Sequence, residues 1–301
     1  MIKIRDLEYL IAIAEHKHFG HAAEACFVSQ PTLSGQIQKL EQRLKLTLIE
    51  RKTRNVMLTP AGEKLINEAR QVLNAASNFE EAAKALLDPL SGDLHIGLIP
   101  TLAPYALPHI MPALNSTLPK INFYLHENRT QDLLQQLEQG KLDILILPWL
   151  PEMERFERYD LFAEPLVMAT SQQHEFATKD QVNFDDLQQQ KILTLEDGHC
   201  LRDQAMGYCF SAGAEEDHSF RATSLETLRY MVASNMGITL LPKLATLNPL
   251  SNKDIRYIPF LQPEPIREIS LLCRAGYSRM DCVRAVANSV RESITPLFKN
   301  H

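Results

Sequence analysis

The sequence predicts an α/β protein: an all-helical N-terminal domain, one long connecting helix, and a larger region of two α/β subdomains. Three observations carry this. Residues 5–44 place their apolar side chains at helical spacing. Residues 65–86 hold an apolar seam with 4-3-4-3 spacing. From Asp93 onward, short apolar runs alternate with amphipathic segments, the signature of βαβ units. With 301 residues, 45% of them hydrophobic, the chain supports two or three cores rather than one.

Leu7, Leu10, Ile11 and Ala14 predict a first helix over 5–17, and HAAEACF at 21–27 a short second one. Val28-Ser29-Gln30-Pro31 interrupts it. Ser29 suits a helix cap and Pro31 the first turn of the next helix, whose apolar face is Leu33, Ile37, Leu40 and Leu44. Its other face presents Thr32, Ser34, Gln36 and Gln38. Two short helices across a tight turn, the second polar outside, form the helix-turn-helix pattern whose second helix enters a DNA major groove. Ser29, Gln30, Pro31, Thr32, Ser34, Gln36 and Lys39 are the DNA-contact candidates there. Arg51-Lys52-Thr53-Arg54 reads as a basic hairpin or wing, with Arg51, Lys52 and Arg54 positioning phosphates rather than reading bases. The net charge of −6 argues against a basic coat, yet between Pro31 and Lys64 seven basic residues stand against three acidic ones. An ordinary helical domain with a solvated basic edge is the alternative.

Leu65, Ala69, Val72, Ala76, Phe79, Ala83 and Leu86 form the heptad seam. One helix cannot bury it alone, so a dimer carrying two recognition helices is expected. Packing on its own domain is the alternative. Asp88 to Gly92 reads as a helix end and hinge. The expected boundaries are 1–60 for the DNA-binding domain, 61–88 for the linker helix, 89–92 for the hinge and 93–301 for the rest.

Beyond the hinge, strands are expected at 93–99, 122–126, 142–147, within 161–169, at 238–241 and at 268–273. Helices are expected at 102–115, 131–139, 225–234 and 281–293. Such a series implies mostly parallel sheets covered by helices. Ligands in open α/β sheets sit at the carboxyl ends of strands, which points at the loop holding Pro100 and Thr101 and at the turn leading to Thr130.

The N-terminus is broken by Arg5, Asp6, Glu8 and Glu15, unlike a signal peptide, and no run is long and apolar enough to span a membrane. A cytoplasmic protein is expected. Its five cysteines, Cys26, Cys200, Cys209, Cys273 and Cys282, are an odd, scattered set rather than a secreted disulfide framework. Two lie in LEDGHCLRDQAMGYCF, residues 195–210. If a helix opens at His199, their Cα atoms stand about 13.5 Å apart on opposite faces, whereas a disulfide needs about 4.4–6.8 Å. Bonding them would unravel the segment. Cys200 would sit in the first helical turn, beside His199 and two residues from Arg202, where a helix N-terminus and a cation favour the reactive thiolate. Cys209 sits later, among Met206, Tyr208 and Phe210. A metal site from His199, Cys200, Cys209 and His218 matches no common zinc spacing, and two buried structural cysteines are the plain alternative.

The run AAEACFVSQPTLSGQIQKLEQRLKLTLIERKTRNVMLTPAG resembles the winged helix-turn-helix of LysR-type transcriptional regulators. LEDGHCLRDQAMGYCF, FRATSLETLRYMV, GITLLP and IGLIPTLAPYALPHIMPAL resemble the hydrogen peroxide-sensing members of that family, and the similarity extends over nearly the whole chain. The resemblance implies two periplasmic-binding-protein-like subdomains, about 93–164 with 268–301 and about 165–267, crossing near Glu164 and Arg267. It implies a peroxidatic Cys200 whose disulfide partner is Cys209, and a peroxide pocket of Thr101, Thr130, His199, Cys200 and Arg267 with Asp203 nearby. For Arg267 a surface salt bridge is the alternative. The implied partners are promoter DNA, RNA polymerase, hydrogen peroxide, cellular thiol reductants and further copies of the chain, as a dimer or tetramer, with no metal, cofactor or membrane. A metabolite-responsive regulator with incidental cysteines and a thiol peroxidase are the rival functions.

Overall fold

The computed structural model describes residues 2–50, 56–247 and 253–298. Two compact units divide the chain between Leu87 and Asp88.

In the first unit, α1 (Ile4–His16), α2 (Phe19–Ala25) and α3 (Gln30–Leu44) precede a two-stranded hairpin, β1 (Ile49–Glu50) and β2 (Met57–Leu58), and the long helix α4 (Pro60–Leu87). Ser29 Oγ accepts the Thr32 N–H at 3.3 Å, capping α3 with Pro31 in its first turn. Leu10, Ile13, Leu33, Ile37, Leu40, Leu48, Ile49 and Ile66 form one core. The Glu41 carboxylate accepts N–H groups from Leu48 (2.8 Å) and Ile49 (3.2 Å), tying α3 to the start of β1. The hairpin lies against α4 so closely that a Cβ at Gly62 would fall 2.2 Å from the Leu48 carbonyl oxygen. Ala69 of the heptad seam is buried in this unit, whereas Val72 and Phe79 further along are 48% and 77% exposed.

The second unit begins with β3 (Gly92–Leu98), α5 (Ala103–Thr117), β4 (Ile121–Glu127), α6 (Thr130–Glu138), β5 (Ile144–Pro148) and β6 (Glu157–Ser171). It continues through β7 (Lys191–Leu195), α7 (Cys200–Ser211), β8 (Glu215–Ala222), α8 (Leu225–Ala233), β9 (Thr239–Pro242) and α9 (Lys243–Thr246). β10 (Ile255–Ile258), β11 (Ile266–Cys273) and α10 (Met280–Ile294) complete it. The main sheet runs β10-β6-β11-β5-β3-β4, with β9 also paired to β6.

The expectation of mostly parallel sheets is corrected. Among the described residues the parallel strand pairs are β3 with β4, β3 with β5, and the separate pair β7 with β8, beside two isolated parallel bridges. β11 runs antiparallel to β5 and β6, and β6 antiparallel to β9 and β10. The cause is the 15-residue β6. Its first half pairs with β11, its second half with β9 and β10, and the chain returns along β11 in the opposite sense, with Arg267 opposite Glu164. In the sheet, β3, β4 and β5 therefore lie on one side of the β6–β11 pair, and β9 and β10 pair with the far half of β6. Leu94, Ile96, Leu98, Ile144–Leu147, Leu271, Leu272, Val283 and Val286 are among the buried apolar residues of the continuous core. Cys273 and Cys282 lie within it on β11 and α10, whereas Cys26 only packs against the smaller core.

Candidate functional site

β7 ends in the loop Glu196–His199, and α7 starts at Cys200, its first helical residue. His199 gives this helix no side-chain cap, and Gly207 sits inside it. Both features weaken a helix, the glycine by about 1 kcal/mol. What holds α7 is burial of Cys200, Leu201, Ala205, Met206 and Cys209, together with an ion pair from Arg202 to the buried Glu216 of β8 at 2.8 Å. Both thiols are buried and free. Nine residues of helix separate their Cα atoms by about 13.5 Å.

Around the Cys200 sulfur the fold gathers residues from three distant parts of the chain. Thr101, in the loop after β3, and Thr130, at the start of α6, are both buried. The Thr130 hydroxyl has no partner with full hydrogen-bond geometry, yet it acts on the Cys200 sulfur in favour of the thiolate. Arg267 is fully enclosed: its Nε donates to Glu164 Oε2 at 2.8 Å, and its guanidinium donates to the Thr101 hydroxyl (3.3 Å) and carbonyl (3.0 Å). The other Glu164 oxygen accepts the Leu244 N–H at 2.9 Å. A surface salt bridge for Arg267 is thereby corrected, because both partners of this pair are 0% exposed.

Burial raises the Cys200 thiol's pKa, opposed by Thr130, by the charge of Arg267 and by the Leu201 main chain. Desolvation thus disfavours the thiolate, while the Thr130 hydroxyl and the Arg267 charge favour it. The cation acting on it is Arg267, not Arg202. Residues two apart on a helix do not share a face, and Arg202 turns away to Glu216, Asp197 and Asp203. His199 is buried and its pKa is lowered, first by desolvation and then by the charge of Arg129, so it is neutral near pH 7. Asp203 is not brought into the group: its side chain is 73% exposed, pairs with Arg202, and acts on the sulfur only by raising its pKa. Cys209 has no polar neighbour acting on it, and burial alone pushes its thiol up to about 12. Among the described residues no three His, Cys, Asp or Glu side chains are placed to hold a metal ion.

Sequence reasoning missed Glu164 as the buried counter-ion, Glu216 as the partner of Arg202, and Arg129, whose guanidinium pairs with Glu196. Arg129 and Glu164 carried the only usable signal, a charged residue beside a strand end or inside an apolar strand.

On the first unit, Ser29, Gln30, Pro31, Thr32 and Lys39 are exposed, and Ser34 and Gln36 half-exposed, on α3 and its N-terminal cap. Arg51, Lys52 and Arg54 lie outside the described residues.

Residues 4–63 match the bacterial regulatory helix-turn-helix protein family of lysR type, and residues 88–295 match the LysR substrate binding domain. The chain belongs to the LysR family. Among its LysR-type relatives, the DNA-binding transcriptional dual regulator OxyR of Escherichia coli (strain K12) is 51% identical over 290 residues, covering 96% of this chain and 95% of the relative. A full-length OxyR variant from Pseudomonas aeruginosa superposes with a TM-score of 0.80 at 33% identity, over 98% of this chain and 96% of that one. A hydrogen peroxide-bound OxyR mutant from Corynebacterium glutamicum gives 0.68 at 32% identity, over 98% and 93%. No helix among the described residues is long and apolar enough to cross a membrane.

Proposed function

We propose that this LysR-type protein is a hydrogen peroxide-responsive regulator of transcription, switched by a reversible bond between Cys200 and Cys209. The observation carrying the proposal is the buried Cys200 thiol at the head of α7, acted on by the Thr130 hydroxyl and the charge of Arg267, with a second free thiol on the same helix. Similarity to OxyR proteins, among them a mutant in hydrogen peroxide-bound form, supports the same reading.

Peroxide entering the pocket meets Thr130, Thr101, His199 and Arg267. The Cys200 sulfur attacks one peroxide oxygen, an S–O bond forms as the O–O bond breaks, and the departing hydroxide leaves as water with the thiol's proton. Arg267 and the hydroxyls stabilise the developing negative charge. The Cys209 thiol then attacks the sulfenic sulfur, forming S–S and releasing water. Because the two thiols stand too far apart on an intact α7, closure requires that helix to unwind. The weak cap and Gly207 favour this, and loss of the Arg202–Glu216 pair opposes it. Cellular thiols reverse the bond.

The output is DNA binding through α3, with Thr32, Ser34 and Gln36 facing base edges and Lys39 facing phosphates. The exposed Val72 and Phe79 on α4 support a dimer through that helix. Pairing of dimers into a tetramer and contact with RNA polymerase complete the proposal. A footprint of the full chain on promoter DNA, before and after stoichiometric peroxide, tests it. The footprint is expected to shift in the wild type and to stay fixed in Cys200→Ser. A Cys200→Ser variant that still shifts points instead to a regulator with incidental cysteines.

A further inference from the structure

Arg129 stands immediately before Thr130 at the N-terminus of α6. Its Nη2 donates to Glu196 Oε1, on the loop between β7 and α7. The guanidinium also lies over Gly198: a Cβ there would sit 3.4 Å from Nη1 and 3.5 Å from Cδ, and Gly198 has a φ of +93° that favours glycine. Glu196 is itself anchored, its N–H donating to the Ala222 carbonyl of β8 at 2.9 Å. Arg129 therefore holds this loop at Glu196 and Gly198, while Arg202 and Arg221 hold Asp197. These residues have to move when α7 unwinds.

We propose that the Arg129–Glu196 ion pair is a latch that slows closure of the Cys200–Cys209 bond more than it affects the first reaction of Cys200 with peroxide. This makes Arg129 a positioning residue, and the proposal rests on the disulfide reading above. The contacts of Arg129 are with the loop at Glu196 and Gly198, and its charge reaches the peroxide pocket through His199. Closure displaces the loop that Arg129 holds.

The latch is half-exposed, 48% on the arginine and 34% on the glutamate, so its worth is that of a surface pair. Releasing it should speed closure about two- to five-fold at low ionic strength. Salt screens such a pair, so the wild type should approach the variant's rate as salt rises.

The test is rapid-mix kinetics on the full-length chain with stoichiometric hydrogen peroxide. Sulfenic acid at Cys200 is trapped by a 1,3-diketone in a Cys209→Ser background, and disulfide formation is followed by acid quench and peptide mass spectrometry. Arg129→Gln and Glu196→Gln are each expected to close about two- to five-fold faster at low salt, with a smaller change in the sulfenic acid step and no further gain in the double variant. Arg129→Lys should restore the salt dependence. Closure at the wild-type rate in both single variants overturns the latch, as does an equal change in the sulfenic acid step. Absence of any Cys200–Cys209 bond in the wild type overturns the disulfide reading itself, which separates the two failures.

Discussion

Replacing Glu164 with glutamine separates what the buried pair does for stability from what it does for the thiol. The substitution keeps the side chain's size and an oxygen for the Leu244 N–H, and removes the only charge that neutralises Arg267 within a pair that is 0% exposed on both sides. Breaking a buried pair in this way costs about 3–5 kcal/mol, because the surviving charge stays buried. The same uncompensated charge acts on Cys200, whose pKa Arg267 already lowers, so the thiol should ionise at lower pH and react faster. Stability and reactivity are thus expected to move in opposite directions. Urea unfolding measures the first. Alkylation of Cys200 against pH, read by peptide mass spectrometry, measures the second, with buried Cys282 as an internal gauge of global opening. A loss of stability under about 1 kcal/mol, well short of the buried-pair cost, refutes the reasoning. So does a Cys200 that alkylates more slowly, or one that speeds up only in step with Cys282.

Gly62→Ala should destabilise the N-terminal unit by about 1–3 kcal/mol in thermal unfolding, because a Cβ there would meet the Leu48 carbonyl oxygen at 2.2 Å. Phe79→Glu, on the exposed seam of α4, should weaken self-association in sedimentation equilibrium while leaving the far-ultraviolet circular dichroism unchanged. Stability should also fall as pH rises above 9.0, the ordinary value of these thiols, because folded Cys209 and Cys273 are pushed up to about 12 and Cys282 to about 11. A raised folded-state pKa leaves stability intact below the unfolded value and removes it as pH climbs toward the folded one, here by about 1.4 kcal/mol per thiol at pH 10. Flat stability between pH 8 and 10 contradicts the burial of these groups.

The parts of the molecule legible in the sequence are those set by local chemistry. Ser29 and Pro31 announce the start of α3, and the apolar spacing of α1 and α3 announces the first core. The strand-end rule points at the loops after the neighbouring parallel strands β3 and β4, where Thr101 meets Arg267 and Thr130 acts on the Cys200 sulfur. Long-range pairings were not legible. Arg267 meets Glu164 across 103 positions, through the antiparallel crossing of β6 and β11 that the βαβ pattern does not announce. β8, with the sequence EEDHSFRA, carries no apolar alternation because much of it faces solvent. The direction of Arg202 was lost for a simpler reason: adjacency in sequence does not fix which side of a helix a residue occupies.

On an intact α7 the reduced fold keeps Cys200 and Cys209 from bonding, and peroxide is expected to join them. Peptide mass spectrometry after stoichiometric hydrogen peroxide, on wild type and Cys209→Ser, checks this. The wild type should give a Cys200–Cys209 cross-linked peptide and the variant sulfenic acid at Cys200. Oxidation spread over Cys26, Cys273 and Cys282 with no link between Cys200 and Cys209 would contradict it.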